Sequence, residues 1–490
     1  MPRRRLKSVQ ELFDLVVRVF AATRYTRQDV DKLKLKIFQY LTTCPERRAQ
    51  ELETVSWWDF IGGDGYSPRM REHLEAMPQL LVAMTARESD ARTFGDVVVQ
   101  LLKDQLLFDP RTDALLNAPT NEAWFAHWRR YLEHQGVRFR RAKLTGFHVW
   151  NGELWPTASV LVRRDDGTEE WRNRIVIRDY TVVAVSAQAI QAIVRADERL
   201  DRGDFEKIRR FELGDTDQAN PAGALRHMTG IQYFLPAEFK MVEGHSVFPD
   251  SAWRLSSVFQ SQFWQQRRGW WDGYRGILSV VLCEWGKPGS RGPAWNLGAD
   301  DVAREVWDQI VATVPDADRA RIPRPLLFHF DGNMEKRPDG WHNASPLLIN
   351  RPDEFPKRPG SLGPLGYDTH RGWKTVFAGT LMQTHTRMTT MESANESGRH
   401  AVNAILEREA FPGDRCTIEP PEEHEFDELR YFIDLDRELL AQGLPHWLAI
   451  LDLEQVPEYV RQFDAGARAM DAVLGGIREF YDRLMRRTGR

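Results

Sequence analysis

A chain of 490 residues with a formal net charge of −4 can hold two or three hydrophobic cores, and its balance of charge argues against nucleic acid as the main partner. Its three cysteines, Cys44, Cys283 and Cys416, show no C-x-x-C spacing, which argues against a disulfide frame or a zinc knuckle and suits a reduced, cytoplasmic protein. No apolar run approaches the roughly 18 residues of a spanning helix, and the basic start Pro2-Arg3-Arg4-Arg5 leads into an amphipathic pattern instead of a signal-peptide core.

Residues 8 to about 110 read as helical. Leu12, Leu15, Val16, Val19 and Phe20 form one stripe, and Thr26 is expected to cap a second helix running through Ile37 to Leu41. Trp57-Trp58-Asp59-Phe60 leads into Gly62-Gly63-Asp64-Gly65. That glycine cluster follows no strand and lacks the third glycine of a dinucleotide-binding turn. Further helices are expected over 68–85 and 93–107. Thr120 is expected to cap a helix carrying Trp124, Trp128 and Tyr131, which Gly136 ends. Strands follow over 137–144, 147–150 and 159–163, with Asp165-Asp166-Gly167 as a hairpin turn, then a strand over 178–185 and a helix over 188–196.

After a charged, turn-rich stretch at 200–222 that reads as a linker or a helix–turn segment, alternation through 231–235 and 253–259 predicts strands of a mostly antiparallel sheet. The largely apolar run 277–285 is expected at its centre, and 302–314 reads as an amphipathic helix. Short strands at 326–330 and 347–349 precede an irregular Pro- and Gly-rich stretch, 351–372. The tail is acidic over 419–428. A last helix, 465–487, carries an apolar stripe wide enough to dock on the body of the protein. Seventeen tryptophans point first to core packing, then to aromatic-lined cavities or a surface that meets lipid.

The most informative stretch is 374–407. Val376-Phe377-Ala378 is long enough for one buried strand, Gly379 ends it, and a polar loop leads to a helix with Met391, Ala394, Ala401 and Ile405 at helical spacing. A helix N-terminus so placed offers unpaired N–H groups to anionic or carbonyl oxygen. The plainer alternative is an ordinary strand–helix unit with a small-residue packing face.

This segment resembles the C-terminal flavin-contacting motif of the FAD-dependent amine oxidase and phytoene desaturase superfamily. The matching residues are Ala378-Gly379, Met391-Glu392-Ser393-Ala394 and Ser397-Gly398-Arg399-His400-Ala401. Thr380 stands where that family usually has an acid, which puts its ribityl or phosphate-side contact in doubt. The stretch 244–264, GHSVFPDSAWRLSSVFQSQFW, is similar to hydroxysqualene dehydroxylase-like flavoproteins. The resemblance covers most of 30–460. It implies an FAD-dependent oxidoreductase acting by hydride transfer on an apolar, isoprenoid type of substrate, with Gly379, Thr380, Met391, Glu392, Ser393 and Ala394 against the cofactor. Tyr233, Phe234, His245, Trp253 and Phe263 are the candidate substrate contacts, as lining of an apolar cavity, although core packing is the plainer reading for each aromatic residue. His245, His385 and His400 are isolated in sequence and read as structural before catalytic, and no metal-ligand set is expected.

The implied fold is α/β plus α+β: an incomplete FAD-binding Rossmann-type domain with a mixed-sheet and helical substrate domain. Its expected segments are a helical part of the substrate domain at 1–115, a returning FAD-domain segment at 116–200 and a substrate-binding sheet and helix at 201–350. The flavin-contacting strand–loop–helix at 351–410 and a helical extension at 411–490 follow. The family's N-terminal G-x-G-x-x-G unit is not found in this sequence. Three explanations compete: a separate polypeptide completes a split protein, the chain is a remnant of a longer gene, or FAD has been lost in favour of a binding or scaffold role. A Rossmann-type sheet lacking its first strand would expose an apolar edge and be poorly soluble alone. Peripheral contact with a membrane is a further expectation.

Overall fold

A computed structural model describes residues 25–106, 115–164, 166–201, 203–214, 223–239, 244–264, 273–362, 367, 373–420 and 429–450. The helical stripe expected from Leu12 to Phe20, the helix expected at 465–487 and the acidic stretch 421–428 lie outside the described residues. The chain divides into two compact units, one comprising Pro78–Thr85 and Leu115–Glu423, the other Pro2–Met77, Ala86–Ala114 and His424–Arg490. No helix among the described residues is long and apolar enough to cross a membrane.

In the second unit, Thr26 caps helix Arg27–Leu41 as its sequence predicts. Its hydroxyl accepts from the Asp29 amide at 3.1 Å while the Asp29 carboxylate accepts from the Thr26 amide at 3.3 Å, a reciprocal capping box. Helix Trp57–Ile61 starts at Ser56 and stops at Gly62, whose left-handed φ of +64° a glycine adopts without a Cβ penalty. Helix Arg430–Ala441 lays Phe432, Leu435 and Leu439 against Phe38 and Leu41. Beside this core, the fully buried Asp436 accepts from Arg47 Nε and from the Cys44 amide, each at 2.9 Å. His446 is 3 % exposed and 4.0 Å from Asp436.

In the first unit, strands Ala142–Trp150, Glu153–Arg163 and Glu169–Ile175 form an antiparallel meander. The two strands expected at 137–144 and 147–150 are one, kinked by a register shift between Leu144 and Gly146. The strand expected at 159–163 begins at Glu153, because Asn151-Gly152 closes a two-residue hairpin with φ values of +51° and +76°. Thr120 does not cap its helix. The turn already begins at Pro119, whose carbonyl accepts from the Ala123 amide at 2.8 Å, so Thr120 lies inside it with helical dihedrals.

Of the strand expected at 178–185 only Thr181–Val183 is regular, because only those residues find a partner. They pair in parallel with Thr375–Phe377, across most of the unit's sequence. Helix Ala187–Ala196, capped by the Ser186 hydroxyl, packs Ile190 and Val194 beneath the pair, with Phe147, Phe205 and Phe377 in the same core.

The second core of this unit lies on a five-stranded sheet. Its order is Leu327–Phe330, Thr229–Leu235, Gly276–Leu282, Leu255–Phe259, His245–Phe248. Every pairing in it is antiparallel, so the expected mixed sheet is corrected. The apolar 276–282 strand is central, as expected. Helix Ala299–Thr313 presses Val302, Val306 and Ile310 on one face of the sheet.

Burial pushes the His446 pKa down to about 4, although Asp436 pulls the other way. The unfolded chain therefore binds more protons between that value and about 6.5, and the contribution is present above pH ~6.5 and lost as pH falls through about 4. Wild-type protein is expected to lose up to about 3 kcal/mol more than His446→Gln across this interval, measured by urea unfolding at stepped pH. Parallel pH profiles for the two proteins would show that this histidine is not buried neutral.

Candidate functional site

The strand–loop–helix unit at 375–408 is built as its sequence predicts, and its details settle which groups are available. Thr375–Phe377 is buried throughout, and Gly379 follows with φ +108°, a region closed to L side chains without strain. A Cβ there would sit 3.6 Å from the Val185 carbonyl oxygen, an ordinary contact, so backbone conformation alone demands the glycine. The Gly379 amide donates to Ser397 Oγ at 2.8 Å, and Ser397 in turn donates to the Ala394 carbonyl at 2.8 Å. Strand end and helix are thereby tied through one buried hydroxyl.

Helix Met391–Arg408 buries Ser393, Ser397, Ala401 and Ala404. The apolar stripe expected through Met391 and Ala394 is therefore corrected. Met391 is 46 % exposed, Ala394 is also exposed, and Met391 lies about 200° around the helix from Ser393. Small side chains at 393, 397, 401 and 404 let the helix sit close beneath the loop.

Thr390 is the N-cap, accepting from the Ser393 amide at 3.2 Å. That leaves the Met391 and Glu392 N–H groups with no partner among the described residues, at an open helix end. Ser393 is 1 % exposed and its hydroxyl bonds Thr384 Oγ1 at 2.9 Å, so both of its polar groups are used internally. Glu392 places an exposed carboxylate in the first turn, where it already complements the helix dipole. The half-buried Thr380 offers its carbonyl to Arg358 at 3.0 Å, and its hydroxyl has no partner among the described residues.

Several residues that shape the loop carry no signal in sequence. Arg358 is 1 % exposed and ties the Thr380 and Ile349 carbonyls together. Arg387 takes a left-handed φ of +59°, lies 3.9 Å over the Phe355 ring, and has its carbonyl held by Asn350 Nδ2 at 2.8 Å. Glu396 accepts from the His385 amide at 2.5 Å, from the Thr386 amide at 3.0 Å and from the Thr386 hydroxyl at 2.7 Å. Burial would raise its pKa, but these bonds and that from His400 outweigh it and hold the carboxyl below its usual value.

The expected substrate residues fall in different places. Tyr233 is core: its hydroxyl donates to the Ala303 carbonyl at 2.6 Å and its ring lies 5.0 Å from Trp307. Trp253 is fully buried and donates from Nε1 to the Lys287 carbonyl at 2.9 Å. Phe234 and His245 occupy the opposite face of the sheet. There a single cross-strand row runs His329, Gln232, Ser279, Val258, His245, with Phe234 beside it. Burial lowers the His245 pKa. Phe263 follows the turn Gln260–Gln262 and is half-buried. The buried thiols of Cys44 and Cys283 are pushed up to about 12, which removes both as nucleophiles at neutral pH.

No protein-family model matches this sequence, and no curated protein does. Among solved structures, the chain is similar to cyclohexylamine oxidase from Brevibacterium oxydans, with 12 % identity, 79 % of this chain and 76 % of that one covered, and a TM-score of 0.45. It is similar to putrescine oxidase bound to putrescine, with 13 % identity, 78 % and 74 % covered, and a TM-score of 0.44. An oxidoreductase from Methanosarcina mazei is similar at 11 % identity, with 78 % and 73 % covered and a TM-score of 0.42. Likeness at this level assigns neither family nor activity to the chain.

Ser397→Ala is expected to strand the Gly379 amide and cost about 1–3 kcal/mol in urea unfolding. Gly379→Ala, with room for its methyl but not for its φ, is expected to cost about 1–3 kcal/mol. A neutral Ser397→Ala would show that the strand–helix tie is not formed in solution.

Proposed function

We propose that this chain is the flavin-ring and substrate-binding part of an FAD-dependent oxidoreductase acting on an apolar, isoprenoid type of substrate. The open N-terminus of helix Met391–Arg408 carries this proposal: its first two amides have no partner among the described residues, and neither has the hydroxyl of Thr380, which follows the strand–glycine turn. Bound flavin would supply hydride acceptance, and the chain's own part is placement and charge. The Met391 and Glu392 amides would receive the carbonyl edge of the ring system, and the helix dipole would favour negative charge there. The Glu392 carboxylate disfavours a phosphate at this point and tolerates an uncharged ring edge. Ala394 extends the same exposed side, while Ser393 and Gly379 hold the turn from within.

Phe234 and His245, on the sheet face away from helix Ala299–Thr313, would meet substrate together with Phe263. Tyr233 and Trp253 would keep that sheet rigid. An apolar substrate is drawn most readily from a lipid surface, and the exposure of Trp124, Trp128, Trp150 and Trp171 supports peripheral membrane contact by a cytoplasmic protein.

The nucleotide end of FAD would be held by a separate polypeptide bearing an ADP-binding unit. Two features support this. Among the described residues Thr181–Val183 has a single strand partner, and Val182 is 41 % exposed in a parallel pair, a pairing whose faces are ordinarily covered. The Thr181 hydroxyl is buried there without a hydrogen-bond partner among the described residues.

The test uses position 391, the first residue of the helix, where proline fits the backbone but has no N–H. Met391→Pro is expected to weaken FAD binding about tenfold relative to Met391→Ala, the value of one hydrogen bond of about 1.4 kcal/mol, with little change in melting temperature. Binding is read by flavin fluorescence, in the presence of an ADP-binding partner chain. Equal affinity of the two variants, or a chain that stays colourless with FAD and the partner supplied, would sink the proposal in favour of a flavin-free binding protein.

A further inference from the structure

Helical spacing sets Glu396 and His400 one turn apart on one face, with His400 Nε2 3.3 Å from Glu396 Oε1. The loop before the helix returns to the same carboxylate. The His385 amide donates to Oε1, while the Thr386 amide and hydroxyl donate to Oε2. Two successive amides fixed on one carboxylate carry the His385 imidazole to the helix face. Its ring lies 6.1 Å from that of His400, inclined by 28°. One ligand-capable atom from each of the three residues falls within 4.8 Å of the other two.

We propose that His385, Glu396 and His400 bind one divalent transition-metal ion of the zinc or ferrous class, with at least one coordination position left open. Two imidazole nitrogens and a carboxylate oxygen suit such ions, whereas magnesium and calcium prefer oxygen throughout. Ligand atoms about 2.1 Å from a tetrahedral ion stand about 3.4 Å apart, a contraction that side-chain rotation supplies. The outer partners are already in place. Thr386 orients the carboxylate, and Tyr367 stacks on His400 at 4.9 Å and 11°. The Glu396 and His400 side chains are 11 % and 13 % exposed, so an ion there would be shielded and still reachable. No sequence spacing announces the set, because His385 lies in a loop and joins the Glu396/His400 pair only through folding. The site stands on these three side chains and is independent of the flavin proposal.

A strut that merely ties loop to helix would use the same hydrogen bonds, so stability does not separate the two roles; metal binding does. Metal-free full-length protein is titrated with Zn2+ by calorimetry and with Co2+ by visible absorbance. One equivalent per chain is expected, with ligand-field bands of low-symmetry nitrogen–oxygen coordination. His385→Ala and His400→Ala are expected to weaken Zn2+ binding by more than the roughly 10- to 100-fold that losing an outer partner costs. Thr386→Val, which keeps the amide bond, is expected to fall within that range. Circular dichroism of the metal-free variants checks their fold, and the wild-type Co2+ spectrum needs no variant at all. Absence of saturable one-to-one binding by either ion, or binding that the histidine variants retain unchanged, would overturn the proposal.

Discussion

The carboxylate of Glu396 is the acceptor on which the 380–390 loop depends. Two backbone amides, a hydroxyl and an imidazole converge on it, inside a volume that would otherwise oppose its charge. A loop of this length has few internal ways to satisfy its own amides, and one well-placed ionised acceptor does so from a neighbouring helix. With His385 and Thr386 fixed, Thr384 reaches both the Ser393 hydroxyl and the Arg387 amide. Thr390 is then left in position to cap the helix. The open amides at Met391 and Glu392 follow from this chain of bonds.

The five-stranded sheet shows the same division of labour on a larger scale. One face is sealed by helix Ala299–Thr313, and there Tyr233 and Trp253 spend their polar atoms on backbone carbonyls. The other face carries a row that mixes histidine, glutamine, serine and valine, with Gln232 donating to Ser279 at 3.3 Å. A core needs no such polar groups, so the chemical character of this sheet is concentrated on the side away from the helix.

The parts of the fold legible in sequence are those with local causes. The capping box at Thr26 and Asp29, the central apolar strand and the helix opening at Met391 each lie within a few residues of their signal. The Asn151-Gly152 hairpin was equally local and announced by its dipeptide, yet the alternating runs on either side overshadowed it. Burial on the 391–408 helix was less legible, since serine rather than methionine turned inward: a close approach selects for small size over hydrophobicity. The roles of Arg358, Arg387 and Glu396 could not be read at all. Each depends on groups from segments that only tertiary structure brings together.

One consequence follows from the order in which the polypeptide is made. Thr181–Val183 waits for Thr375–Phe377, while the whole five-stranded sheet is inserted between them. Local hairpins and the sheet with its helix can form early, whereas closing so distant a pair carries a larger entropic cost and comes late. During synthesis the valine-bearing strand is a transiently bare template for any extended peptide nearby. Chaperone demand, and the timing with which a companion strand is supplied, would thus bear on how much of this protein reaches its native state.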